Sequence, residues 1–151
     1  MLITLDGSPL TIQQVAAVAR GEASVSLGAS AREQLARART QLERLVEDGL
    51  PHYGVNTGFG SLSRTRIPAD QLRDLQRNLV RSHAAGVGDA LPTDTVRAMM
   101  LLLAASLARG ASGVRPVVVD RLLALLAHGI TPIVPSIGSV GASGTASRSP
   151  Y

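Results

Sequence analysis

The sequence predicts a mainly α-helical fold with short extended segments and glycine-rich loops. Three observations carry that expectation. Apolar residues recur at three- and four-residue spacing along several stretches, the period of one helix face. Those stretches open at Ser, Thr or Pro and close at Gly, as helix starts and stops do. Hydrophobic residues make up 45% of the 151 residues but aromatics only 2%, so the core has to be built from Leu, Val, Ala and Met, which packed helices allow.

Leu2 to Leu5 reads as a short extended segment closed by the turn-forming Asp6-Gly7-Ser8-Pro9. Thr11 suits a helix N-cap and Gln14 the returning position of a capping box; Ile12, Val15, Ala16 and Ala19 share one face, and Gly21 ends the helix. Ser30 with Glu33 repeats that logic for a longer helix striped by Leu35, Ala38, Leu42, Leu45 and Val46 and stopped by Gly49 and Pro51. From His52 to Ser63 periodicity gives way to Gly54, Gly58 and Gly60, which predicts a mobile loop.

Pro68 suits the first turn of the next helix, whose stripe of Leu72, Leu75, Leu79 and Val80 runs on to His83 and is closed by Ala84-Ala85-Gly86-Val87-Gly88. Thr93 is expected to cap a helix with Val96, Met99, Met100, Leu103 and Leu107 on one face. Leu101, Leu102 and Ala105 make its other faces apolar too, so it should be enclosed by protein. Pro116 opens a further helix with Val119, Leu122, Leu123 and Leu126 inward and Gly129 at C′. Two prolines keep Ile130 to Pro135 extended, and that segment delivers the chain into Gly138-Ser139-Val140-Gly141-Ala142-Ser143-Gly144.

Composition removes several function classes. Without cysteine there is neither a disulfide framework nor a thiolate metal site, and three scattered histidines give no metal-ligand spacing. The net charge of +4 comes from fifteen arginines and no lysine, the usage of a GC-rich genome. The arginines are interleaved along helices without stacking aromatics, which argues against nucleic-acid binding. Met1 to Asp6 lacks the basic and apolar regions of a secretory signal. The most apolar run, Ala98 to Ala108, is eleven residues against the roughly twenty of a membrane span. A soluble, cytoplasmic protein is expected. The Gly54–Gly60 loop has neither the Gly-Lys-Ser/Thr ending of a P-loop nor the Gly-x-Gly-x-x-Gly of a dinucleotide site, so no nucleotide is expected.

Three residues stand out for chemistry. Ser143 lies among small residues whose backbone can bend sharply enough for the Gly144 nitrogen to reach the Ala142 carbonyl carbon. Because Gly144 follows it directly, Ser143 does not sit in a hydrolase nucleophile elbow. Tyr53, beside the glycine-rich loop, is either an aromatic anchor for that loop or a residue that closes over a substrate. A phenol titrates near 10 in water, roughly, so one acting as a base needs a neighbouring cation or donors to its oxygen. His83 ends a helix, where the macrodipole favours a cation; that alone would explain it. His52 and His128 are given no role.

Four stretches together resemble the aromatic amino acid ammonia-lyase family, its histidine-acting members most closely. They are Tyr53-Gly54-Val55-Asn56-Thr57-Gly58-Phe59-Gly60, Gln76 to Gly86, Ser106 to Pro116, and the Gly138–Gly144 segment, in the family's order along the run from Tyr53 to Gly144 that makes up most of the chain. The resemblance implies the helical N-terminal domain of the fumarase/aspartase-like ammonia-lyase fold. It implies that Ala142, Ser143 and Gly144 cyclise by themselves into methylidene-imidazolone (MIO), an electrophile no side chain supplies. Ala-Ser-Gly also occurs at Ala111-Ser112-Gly113; only the preceding Gly138-Ser139-Val140-Gly141 selects the second copy, and the first reads as a structural break after a helix.

By the same resemblance, Tyr53 takes the proton from the substrate's β-carbon and His83 faces its aromatic part. Gly54, Asn56, Thr57, Gly58 and Gly60 shape the Tyr53 loop. The implied reaction is elimination of ammonia from L-histidine to give urocanate, in a homotetramer whose subunits share active sites. Tyrosine or phenylalanine lyases and aminomutases remain the alternative within that chemistry; a non-catalytic helical module associating with full-length subunits is the alternative outside it.

The family continues after the triad with Asp-Leu-Ala-Pro-Leu, whereas this sequence reads Thr145-Ala146-Ser147-Arg148-Ser149-Pro150-Tyr151. Residues 1–144 are therefore expected to form part of the N-terminal lyase domain and 145–151 a non-family tail, as an out-of-frame ending would give. The chain by itself is expected to be marginally stable, association-prone and at most weakly active.

Overall fold

The computed structural model describes residues 1–60 and 63–138. Two units share the chain, one of Met1–Leu42 with Leu91–Val134, the other of Glu43–Ala90 with Pro135–Tyr151.

In the first unit β1 (Leu2–Leu5) and β2 (Ser24–Leu27) pair in parallel, Ile3 opposite Val25 and Leu5 opposite Leu27. Parallel strands need a crossover, and α1 (Ile12–Ala19) provides it. Strand alternation sends Ile3 and Leu5 into the core and leaves Leu2 outside. The capping box of α1 forms as its sequence predicts: the Thr11 N–H donates to Gln14 Oε1 at 2.8 Å and the Gln14 N–H to Thr11 Oγ1 at 3.2 Å. At the other end Gly21, at φ +79°, closes a Schellman pair, with Gly21 N–H to Val18 O and Glu22 N–H to Ala17 O. The buried face differs from the expected one. Ile12 is exposed and Val18 buried, because contact with α4 (Thr93–Ala108) selects one side of a helix that is apolar on several.

α2 (Ala29–Glu47) starts one residue before Ser30, so the expected Ser30–Glu33 capping box is replaced by Gly28. The Gly28 N–H donates to Leu5 O at 2.8 Å while its carbonyl accepts from Arg32 at 3.0 Å. A Cβ on Gly28 would stand 3.1 Å from Leu5 O, so close packing on β1 fixes this start. Ala31 and Leu35 are buried and Leu45 is exposed, which shifts the stripe by part of a turn.

α4 follows Pro92 at the N-cap, with Thr93 as its first helical residue and no side-chain cap, so the expected Thr93 cap does not form. Its buried face is Val96, Met100, Leu101, Ala104 and Ala108; Met99, Leu102 and Leu103 are exposed among the described residues rather than enclosed. A helix apolar all round carries no asymmetry to say which side its neighbours cover. α5 (Pro116–Ala127) has Pro116 in its first turn and buries Val119, Leu123 and Leu126, with Leu122 half-buried. Gly129 closes it with a Schellman pair, Gly129 N–H to Leu126 O and Ile130 N–H to Leu125 O. Arg97 of α4 reaches the ends of two helices: Nε and Nη2 donate to Val18 O, Nε also to Ala19 O, and Nη1 to Leu126 O.

In the second unit α3 (Leu72–His83) begins four residues after Pro68, which instead opens a turn closed by Gln71 N–H to Pro68 O. Leu72, Leu75 and Leu79 are half-buried, while Val80 falls outside the stripe at 71% exposed. The residues expected only to close this helix run into β3 (Val87–Ala90), antiparallel to β4 (Pro135–Ile137). Among the described residues no helix is long and apolar enough to cross a membrane.

Candidate active site

The Tyr53 loop is built on two buried polar side chains. Asn56 and Thr57 are 1% and 0% exposed. Burial of an amide or hydroxyl is tolerated when its hydrogen bonds are made, and here they are. Asn56 Nδ2 donates to Leu50 O at 2.8 Å, and Asn56 Oδ1 accepts the His52 N–H at 2.6 Å. Thr57 Oγ1 accepts the Gly54 N–H at 3.3 Å and donates to Gly58 O at 3.0 Å. The backbone closes the same turn, with Val55 and Asn56 N–H donating to His52 O, and Ile67 N–H to Asn56 O. These bonds tie residues 52–58 into a defined turn.

Asp48 anchors the approach to that turn. One carboxylate oxygen accepts the Leu50 N–H at 2.8 Å and the other meets His52 Nε2 at 2.7 Å. The Leu50 N–H does most to hold this carboxyl below the usual carboxylate range; desolvation opposes it, and His52 and the Arg66 charge add lesser lowering contributions. Gly54 stands at φ +74°, a conformation that favours glycine. The turn so fixed directs Tyr53 outward, 64% exposed, with its ring edge-on to Phe59 at 5.8 Å and 71°. Sequence reasoning gave Phe59 no role; the signal was a second aromatic six residues on in a chain with almost none. Gly58 N–H donates to Thr65 O at a long 3.4 Å, and Gly60 adopts φ +57°.

His83 is the last residue of α3 and is exposed. Its Nδ1 lies 2.9 Å from Leu79 O and 3.0 Å from Ser82 Oγ, and Ser82 Oγ itself donates to Leu79 O at 2.9 Å. Just beyond it the chain turns into β3, where Val87 pairs with Ile137 and Ala90 with Pro135. A Cβ on Gly86 would lie 2.9 Å from Pro135 Cγ, and one on Gly138 would lie 3.5 Å from Gly86 Cα. The end of the His83 helix and the start of the small-residue segment thus lie side by side. Ala142, Ser143 and Gly144 lie outside the described residues.

The other Ala-Ser-Gly copy occupies the α4–α5 connection. Gly110, at φ +71°, follows the C-cap Arg109, and Gly113, at φ +64°, is buried with Leu42 where a Cβ would go. It is a helix break, as expected. No group of His, Cys, Asp and Glu able to hold a metal occurs among the described residues.

The profile of the aromatic amino acid lyase family matches residues 10–148, and the chain belongs to that family. Histidine ammonia-lyase of Anaeromyxobacter sp. (strain K) is 54% identical over 142 residues, covering 94% of this chain and 28% of that protein. Among solved structures, tyrosine aminomutase from Streptomyces globisporus superposes with a TM-score of 0.87 at 38% identity over 92% of this chain and 26% of its own. Histidine ammonia-lyase from Trypanosoma cruzi gives 0.83 at 36% identity, over 93% and 27%. The chain spans about 28% of the length of the Anaeromyxobacter relatives it matches.

Proposed function

We propose that this chain contributes active-site residues to an ammonia-lyase that converts L-histidine to urocanate in the cytoplasm, in a protein of the relatives' length that assembles as a homotetramer. The observation that carries this reading is the β3–β4 pairing, which sets Gly138, the first residue of the small-residue segment, against Gly86, three residues beyond His83. On this reading residues 1–144 form part of the lyase domain, and 145–151, of which the family profile still takes in 145–148, depart from the family's continuation.

The triad has the groups an MIO ring requires: an amide nitrogen on Gly144, a carbonyl carbon on Ala142, and a Ser143 hydroxyl whose loss leaves a methylene. When formed, the ring supplies an electrophile that activates the substrate for loss of ammonia. Tyr53, outward on its pinned turn, accepts the β-proton. His83, fixed at the end of α3, faces the substrate's aromatic part. Asn56 and Thr57, with Gly54, Gly58 and Gly60, keep the Tyr53 turn in shape. A tyrosine lyase or aminomutase is the second reading, favoured by the likeness to the Streptomyces enzyme; the higher identity to histidine ammonia-lyases makes histidine the preferred substrate.

The test joins residues 1–144 in frame to the remainder of the Anaeromyxobacter relative and follows urocanate formation. Tyr53→Phe should lower kcat about 100-fold or more, the scale of a general base, and Ser143→Ala should abolish turnover. Undiminished urocanate formation by the Ser143→Ala chimera would refute the proposal, and faster turnover of tyrosine than histidine would move it to the second reading.

A further inference from the structure

The hydrogen bonds around His83 fix which of its nitrogens carries a proton. A carbonyl oxygen can only accept, so the 2.9 Å approach of His83 Nδ1 to Leu79 O favours a proton on Nδ1. Ser82 reinforces it. Its hydroxyl proton is committed to Leu79 O at 2.9 Å, which leaves its lone pairs toward Nδ1 at 3.0 Å. A neutral ring so held has an unprotonated Nε2, the reverse of the form that predominates in free histidine. The hydrogen bond at one ring nitrogen sets the role of the other.

We propose that Ser82, acting with the Leu79 carbonyl, is a positioning residue that holds His83 as its Nδ1–H tautomer, so that Nε2 stands as a hydrogen-bond acceptor for the substrate's ring. The inference rests on the reading of His83 as substrate-facing. It gives that residue a polarity: Nε2 receives the N–H of an imidazole or the O–H of a phenol and offers nothing to an unsubstituted phenyl ring. Ser82 touches no substrate and works only through His83.

The tautomer can be read directly by long-range ¹H–¹⁵N spectra of the ¹⁵N-labelled chain at alkaline pH, where the ring is neutral, with His52→Gln and His128→Gln assigning the signals. His83 should show a protonated Nδ1 and a bare Nε2, Ser82→Ala should move it toward the Nε2–H form, and Ser82→Thr should restore the original. An Nε2–H ring in the wild type, or a ring indifferent to Ser82→Ala, would overturn the proposal.

Kinetics of the chimera separate this from the underlying reading. Ser82→Ala should raise KM for histidine roughly three- to tenfold, the worth of one neutral hydrogen bond, with kcat nearly unchanged and phenylalanine turnover unaffected. A shifted tautomer with unchanged KM would instead remove His83 from the substrate site.

Discussion

Gly113 sits at φ +64° with Leu42 against it, so that a Cβ at this position would stand 2.8 Å from Leu42 Cδ2. The contact gives the first Ala-Ser-Gly copy its purpose, which is to let the α4–α5 connection pass close to α2. Gly113→Ala should therefore cost about 1–3 kcal/mol, from a strained left-handed backbone and an overpacked neighbour. Ser112→Ala, on an exposed residue beside it, should stay within about 0.5 kcal/mol of wild type. Denaturant titration of both variants checks the contrast; equal stabilities would mean the glycine is not required there.

Asn56 bonds to Leu50 O and to the His52 N–H from a buried position, so Asn56→Ala strands a carbonyl and an amide at once. The expected loss is about 1–3 kcal/mol. Thermal melts of the chain would show it, and a variant as stable as wild type would mean that the turn under Tyr53 is held by its backbone bonds alone.

Arg97 donates to carbonyls in the last turns of α1 and α5: to Ala19 O, and to Val18 O and Leu126 O, which also accept the Gly21 and Gly129 N–H groups. Arg97→Ala should destabilise the chain by about 1.5–3 kcal/mol, as for hydrogen bonds to a charged group. Arg97→Lys should recover only part of that, because an ammonium lacks the planar fork that spans two helix ends. Full recovery by lysine would show that charge near the helix ends matters and geometry does not.

Arg32 and Asp120 form a two-bond pair between α2 and α5, Nη1 to Oδ2 at 3.0 Å and Nη2 to Oδ1 at 2.6 Å. The hydrogen bond from Arg32, and then its charge, lower the Asp120 carboxyl despite some desolvation. A carboxyl lowered on folding binds its proton more tightly in the unfolded chain. Its contribution is complete above the ordinary carboxylate value of about 3.9 and is lost as pH falls through the lower folded value. Both side chains are well exposed, so solvent screening keeps the effect small. Melting temperatures of wild type and Asp120→Asn should differ slightly at neutral pH and converge in acid; a gap constant with pH would contradict this.

Much of the helical framework was legible because its signals are local. Thr11 and Gln14 close their own capping box, Pro116 opens its helix, and Gly21 and Gly129 end theirs, each through bonds spanning a few residues. The strands were less so. Pairing of Leu2–Leu5 with Ser24–Leu27, or of Val87–Ala90 with Pro135–Ile137, is decided by segments distant in sequence. Faces failed where apolar residues surround a helix: whether Met99 or Leu101 turns inward depends on what packs there. In the site, the glycines announced a loop, but the bonds from Asn56 and Thr57 that pin it, and the Ser82–His83 contact, depend on side-chain geometry that no spacing encodes.

The proposed function depends on self-cyclisation of Ala142, Ser143 and Gly144, and the intact mass of the chimera tests that step most directly. The wild-type chimera should weigh two water molecules less than its sequence requires, and its Ser143→Ala variant should keep its full sequence mass. A wild-type chain at full mass, in a soluble and correctly assembled protein, would contradict the account.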